Sequence, residues 1–187
     1  VVVAFGRILS KELVEHLPMV NLHFSLLPRW RGAAPVEWAI LDGDERTGVC
    51  VMAVEEGLDT GGVYAKAETE VGEKTLAGLW DELGRTGTDL LVEWLRTPWP
   101  DGRPPAPEPQ VGTPTYARKL TADDRRIPDD APAERQLAVV RIGNAWTEID
   151  GVRVKVLEAR IDEAGAFEPV TVQPEGRRPM AFGDWQR

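Results

Sequence analysis

The clearest hydrophobic pattern in the chain lies at residues 75–96. Leu76, Leu79, Trp80, Leu83, Leu90, Leu91 and Trp94 recur at spacings of three and four, which gathers them on one face of an α-helix. Such a face needs a core to cover it, and Trp80 and Trp94 read as packing residues. Gly84 and Gly87 weaken the middle of this helix. Upstream the period changes. Val1–Phe5 is continuously apolar, as in a strand covered on both faces. Gly6 follows, and Ser10 can cap a short helix that Pro18 ends. Met19–Leu22 predicts a second short strand that runs into His23. Pro35 suits the first turn of a helix over PVEWAILDG, with Gly43 at its stop. Thr47–Val54 predicts a third strand, EEGLDTGG a loop, and Val63–Thr69 more β-structure. Strands alternating with helices predict an α/β domain built on a mostly parallel sheet.

The pattern breaks at residue 97. Seven prolines fall within residues 97–114, which rules out helix or an interior strand and predicts an extended, semi-stiff linker. Beyond it, PAERQLAVVRIG predicts a short helix. AWTEIDGVRVKVLEARI predicts a hairpin turning at Asp150-Gly151. Short strands joined by Gly/Asp turns predict a small β-barrel. The organisation expected is an α/β domain over 1–97, a linker over 98–114 and a second domain over 115–187.

Composition adds limits. Lys and Arg number 22 against 31 Asp and Glu, a net charge of −9, which argues against nucleic-acid binding by bulk charge alone. Residues 1–97 hold nine basic and 16 acidic side chains, and residues 98–187 hold 13 and 15. The second half can carry a local basic patch, and the first half, taken whole, is no polyanion platform. Cys50 is the single cysteine, so an internal disulfide and a cysteine metal cluster are excluded, and its apolar surroundings predict a buried thiol. No apolar run is long enough to span a bilayer, and a cytoplasmic location is expected. The chain opens without Met in the run VVVAF, which reads as the interior of a protein whose N-terminal part is missing.

Candidate chemistry concentrates in NLHFSLLPRWRGAAP, residues 21–35. Asn21 and His23 are two apart, so on a strand they share a face. At a strand end they meet at the sheet edge where α/β proteins place their sites. An amide N–H can hold a developing oxyanion, and an imidazole can carry a proton. Asp59, in the glycine-flanked GLDTG loop, is the candidate carboxylate partner. On periodicity alone, a polar pair capping a loop and an aspartate making a turn are the competing readings.

The residues from NLHFSLLPRWRGAAPVEWAILDGDERTGV to EEGLDTGG strongly resemble the formyltransferase family that uses 10-formyltetrahydrofolate. The shared marks are Asn-x-His, SLLP, an Arg-Gly pair and the Asp of G-L-D-T-G. The resemblance is tight over residues 1–97 and recognisable to about residue 127. It implies a partial Rossmann-like formyltransferase domain followed by a small barrel. RWRGAAPVEWAIL, with the GD and TGV after it, and TPTYARKLTADDRRI resemble the branch whose acceptor is the methionine α-amino group of initiator Met-tRNA. The resemblance implies that Asn21 holds the formyl oxygen, that His23 stabilises the tetrahedral intermediate and helps proton transfer, and that Asp59 orients His23. It implies that Ser25, Leu26, Leu27 and Pro28 line the folate pocket, with 10-formyltetrahydrofolate as cosubstrate, and that no metal and no covalent enzyme intermediate are needed. A monomer is expected. Arg31 and Lys119 are candidate tRNA contacts, with Arg125, Arg126, Arg153 and Lys155 as a further patch. Trp30 either stacks on a base or anchors its loop. Two departures stand out: Phe24 where a small residue or Pro is usual, and GNAWTEIDG in place of an N-P-W-P-G-A stretch. The rivals are a sugar-nucleotide N-formyltransferase and a non-catalytic RNA-binding module.

Overall fold

A computed structural model describes residues 1–3, 11–17, 19–99 and 102–186. Part of the first predicted strand, Gly6, the Ser10 cap and Pro18 lie outside the described residues. The elements are β1 (Val2–Val3), α1 (Lys11–His16), β2 (Val20–His23), β3 (Arg31–Gly32), α2 (Pro35–Leu41), β4 (Arg46–Ala53), β5 (Val63–Glu70), α3 (Leu76–Arg96), β6 (Tyr116–Ala117), α4 (Ala133–Arg141), β7 (Trp146–Ile149), β8 (Val152–Ile161), β9 (Phe167–Pro174), β10 (Met180–Ala181) and α5 (Phe182–Trp185). They form two compact units. The first holds residues 1–39, 44–72 and 78–119; the second holds 40–43, 73–77 and 120–187.

The sheet of the first unit has the order β1-β2-β4-β5. Only β1 and β2 are parallel; β2–β4 and β4–β5 are antiparallel. The expected mostly parallel sheet is thus a mixed one. For β4 and β5 the physical reason is connection length. Residues 54–62 between β4 and β5 are too few for the crossover that parallel neighbours need, so the chain turns straight back. β4 is buried along almost its whole length, with Val49 and Val51 fully enclosed, as a central strand covered on both faces must be. α3 supplies Leu79 and Leu83 to the core, the two residues at the centre of its apolar stripe. Gly87 lets this helix come close: a methyl there would stand 3.0 Å from Val49 Cγ2.

The proline-rich stretch is not a free spacer. Its described residues, 97–99 and 102–114, belong to the first unit. Proline has no N–H to give, but Glu108 stands between Pro107 and Pro109 and exchanges both backbone hydrogen bonds with Val63, at 2.8 and 2.9 Å. Further on, β6 pairs in parallel with β3, Arg31 opposite Tyr116 and Gly32 opposite Ala117. Along this part of the chain the first unit runs on to Lys119.

In the second unit an antiparallel sheet runs β10-β9-β8-β7. The β7–β8 turn has positive φ at both Asp150 (51°) and Gly151 (76°), the backbone that an Asp-Gly hairpin prefers. Val139 and Ile142 from the α4 region meet the buried side of this unit with Val154, Val156 and Val172. Among the described residues the sheet is open, with no pairing between β10 and β7. A closed barrel was expected; the four strands form an open antiparallel layer with α4 packed on β8 and β9.

Candidate functional site

β2 carries Asn21 and His23 on one face, with Asn21 opposite Met52 and His23 opposite Cys50 of β4. The chain then turns sharply. The Ser25 hydroxyl donates to the Arg29 carbonyl at 2.6 Å, and Arg29 N–H donates to the Leu26 carbonyl at 3.1 Å. The turn delivers Trp30 in the left-handed region, at φ 59°, uncommon for a bulky residue. Its carbonyl then lies 2.8 Å from His23 Nε2. A carbonyl can only accept, so Nε2 holds the proton and the neutral ring has its lone pair on Nδ1. Nδ1 is 3.6 Å from Asp59 Oδ2, beyond a good hydrogen bond but well within charge interaction. Asp59 also sits at positive φ, 51°, and its Oδ2 accepts the Gly32 N–H at 2.7 Å.

His23 is only 4% exposed. Burial pushes its pKa below the ordinary 6.5, outweighing Asp59 and the Trp30 carbonyl, which both raise it. The ring is neutral at pH 7. An unfolded chain binds this proton more readily than the folded one, so stability is full above 6.5 and lost as pH falls through the folded pKa. Urea midpoints measured downward from pH 6.5 are expected to fall, and to fall less in a His23→Asn variant; equal falls would mean His23 does not carry the effect.

His23, Asp59 and half-buried Asn21 all face one cavity of about 630 Å³ within the first unit. Met52, Val54, Leu58 and Trp80 give it an apolar wall. Trp80, read from the sequence as packing only, lines this space. Phe24 also faces it, seated edge-on against Trp80 at 4.7 Å; a methyl at Gly87 would come within 3.6 Å of its ring. Ser25, Leu26, Leu27 and Pro28 are not among the lining residues. Ser25 is fully buried, and its carbonyl accepts the Cys50 S–H at 3.1 Å. Burial pushes the Cys50 thiol up, so it is an inert core group.

The charged candidates separate. Arg29 pairs with Asp44 and lies 4.4 Å over the Trp30 ring. Asp44 Oδ2 also accepts the Trp30 indole N–H at 2.7 Å, so Trp30 anchors its loop. Arg31 reaches the cavity and donates to Gln110 Oε1 from Nε and Nη2, at 3.1 and 2.7 Å. Lys119 is exposed and does not line the cavity. In the second unit Arg125 caps the end of α4 through the carbonyls of Ile142 and Gly143. Arg126 and Arg153 lie 5.8 and 4.0 Å from the Trp146 ring. His16 stays within α1, its Nδ1 2.7 Å from the Glu12 carbonyl.

Three contributors escaped the sequence reading: Asp44, Gln110 and Thr115. The signal for Asp44 was its place in the GD step of the motif. For Gln110 it was a long amide set among prolines. The described residues contain no group of three or more His, Cys, Asp or Glu side chains placed to hold a metal ion. The set can hold an acyl oxygen through an amide and move one proton through an imidazole next to a carboxylate. That is the equipment of an acyl-transfer site on an α/β domain.

Comparison with known proteins agrees with this class. The model of the formyl transferase family matches residues 1–94. The methionyl-tRNA formyltransferase of Symbiobacterium thermophilum is 44% identical over 197 residues, covering 98% of this chain and 60% of that protein. Methionyl-tRNA formyltransferase from Clostridium thermocellum matches in structure with a TM-score of 0.66 at 21% identity, over 91% of this chain and 74% of that one. An N-formyltransferase from Helicobacter canadensis, in complex with folinic acid and dTDP-3-aminofucose, matches with a TM-score of 0.72 at 17% identity, over 95% and 70%. At these identities the two structures show a shared fold. The chain belongs to the formyl transferase family, and it spans 60% of the length of the Symbiobacterium relative.

Proposed function

We propose that the full-length protein transfers a formyl group from 10-formyltetrahydrofolate to the methionine α-amino group of initiator Met-tRNA, in the cytoplasm, for translation initiation. The observation that carries this reading is the convergence of Asn21, His23 and Asp59 on one cavity, in a chain 44% identical to a methionyl-tRNA formyltransferase. The cavity's apolar wall suits a flat heteroaromatic ring, and the Helicobacter neighbour is in complex with folinic acid, a folate.

The chemistry follows from the residues. The Asn21 amide N–H donates to the formyl oxygen and strengthens that bond as negative charge develops. His23 Nδ1, kept unprotonated by the Trp30 contact at Nε2, takes the proton released when the amine bonds to the formyl carbon. The imidazolium so formed lies beside the Asp59 carboxylate, 3.6 Å away, which stabilises it. His23 then returns the proton to the folate nitrogen as its bond to the formyl carbon breaks. Ser25–Pro28 serve this site by setting the turn behind the cavity. Arg31, at the cavity, and Lys119, exposed at the end of the first unit, are assigned to the acceptor tRNA, with the unit after residue 119 supporting the rest of it.

The test is transfer from 10-formyltetrahydrofolate by the full-length protein, with charged Met-tRNA and a UDP-amino-sugar offered together. Transfer to Met-tRNA is expected; transfer to the sugar alone overturns the acceptor, and transfer to neither overturns the reaction. An Asn21→Ala variant is expected to lose about 10²-fold in kcat, the usual cost of one oxyanion donor, with substrate KM little changed. A KM effect without a kcat effect would move Asn21 from the reacting oxygen to ground-state binding.

A further inference from the structure

His23 works through two contacts, one at each ring nitrogen. Both are set by residues in the left-handed region, Trp30 at φ 59° and Asp59 at φ 51°. Neither residue is glycine, so each conformation persists only where its surroundings hold it. The holding groups come from one place. The Gln110 amide N–H₂ donates to the carbonyls of Asp59 and Gly61, both at 2.8 Å. Thr115 Oγ1 accepts the Trp30 N–H at 2.9 Å, and the Thr115 carbonyl accepts the Arg31 N–H at 2.9 Å. Gln110 lies in the proline-rich stretch and Thr115 directly follows it, on a run of chain tied down at Glu108 and at β6.

We propose that Gln110 and Thr115, carried on a strap formed by residues 108–117, belong to the catalytic site as positioning residues for the two nitrogens of His23. Gln110 fixes the backbone that aims the Asp59 carboxylate at Nδ1. Thr115 fixes the backbone that aims the Trp30 carbonyl at Nε2 and so selects the tautomer. The Gln110 side chain has no spare capacity: its oxygen accepts twice from Arg31 and its nitrogen donates twice to the 59–61 loop. It therefore also ties Arg31 to the Asp59 loop. The prolines suit this duty, because a stretch already extended loses little freedom when it is laid across the site. The kinetic consequence rests on the formyl-transfer reading; the structural one, the state of His23, does not.

The experiment uses the full-length protein with ¹⁵N-labelled histidine, the His23 signals being assigned with a His23→Asn variant. Gln110→Ala and Thr115→Val are compared with Thr115→Ser, which keeps the hydroxyl. Val111→Ala, 87% exposed on the same strap, is the control. Gln110→Ala and Thr115→Val are expected to lower kcat about 10- to 100-fold, as small misplacements of reacting groups do, with KM within about twofold. Thr115→Val is expected to lose the Nε2–H tautomer preference, Gln110→Ala to shift the His23 titration, and Thr115→Ser and Val111→Ala to behave as the parent. Unchanged His23 spectra in Thr115→Val and Gln110→Ala would overturn the proposal, even if melting temperatures fell. If Gln110→Ala does not fold, Gln110→Glu removes the same two donors at equal size. Should the parent transfer no formyl group, the reaction assigned above fails, and the spectra alone decide the strap.

Discussion

Full-length protein with His23 replaced by alanine is expected to lose about 10³-fold in kcat, the mid-range for a positioned proton carrier, with KM for the acceptor nearly unchanged. The expectation comes from the geometry at both nitrogens. The Trp30 carbonyl holds the proton on Nε2 at 2.8 Å, which leaves Nδ1 as the one basic atom facing Asp59. Alanine removes that base and leaves Asp59 with no proton to share. The same truncation opens space in a buried site and leaves the Trp30 carbonyl without its donor, so some loss of stability accompanies it. Two readouts separate chemistry from stability. Free imidazole diffusing into the enlarged cavity is expected to restore part of the rate, which a merely loosened fold would not allow. The parent's kcat/KM is expected to rise with pH through a transition below 6.5 and then level off, since burial holds His23 below its ordinary pKa and the neutral form is the active one. A His23→Ala protein that formylates at the parental rate would remove His23 from the mechanism. Unchanged tRNA affinity with no turnover even in the parent would instead favour a non-catalytic binder.

The parts of this molecule that were legible in the sequence are those whose cause is local. The apolar stripe from Leu76 to Trp94 is written in one helix, and α3 follows it. The Asp150-Gly151 turn sets its own backbone, and the β7–β8 hairpin follows from it. Asn21 and His23 share a face because a strand alternates, whatever surrounds it. What was not legible depends on distant partners. The antiparallel run of β4 and β5 comes from how the chain returns across the sheet, not from any residue in either strand. Ser25 lies in a segment that resembles a folate-pocket wall, but it is drawn inward by the Arg29 carbonyl four residues on. Asp44, Gln110 and Thr115 matter because folding sets them against Trp30, Arg31 and Asp59; the GD step and an amide among prolines marked the first two, but nothing near them in sequence names those partners. The proline-rich stretch shows both sides: its extended form was legible, and its place against Val63 was not.

Gly61→Ala is expected to destabilise the protein by about 3 kcal/mol, at the upper end for overpacking, and to lower kcat by more than about 10²-fold. A methyl on Gly61 would stand 1.9 Å from the Ala53 carbonyl oxygen and 2.8 Å from its carbon. The obstacle is backbone at the end of the central strand β4, which cannot rotate away. The loop has to move instead. It is held there by the hydrogen bond from Ala53 N–H to the Gly62 carbonyl, 2.8 Å, and by the Gln110 amide on the Gly61 carbonyl, 2.8 Å. Both are lost or stretched if it shifts. Asp59 lies two residues upstream and moves with it, so its carboxylate leaves the position from which it faces Nδ1. Stability and activity therefore fall together. Gly57→Ala is the instructive contrast. Its added methyl meets the Thr60 side chain, at 2.5 Å from Oγ1 and 2.7 Å from Cγ2, in an exposed part of the same loop where no strand backbone stands in the way. Thermal melts and single-turnover formyl transfer on the two variants are expected to differ by several degrees and by most of that factor in rate. Equal behaviour would mean that the loop yields at Gly61 as easily as at Gly57, and that Asp59 is not held by the contact with β4.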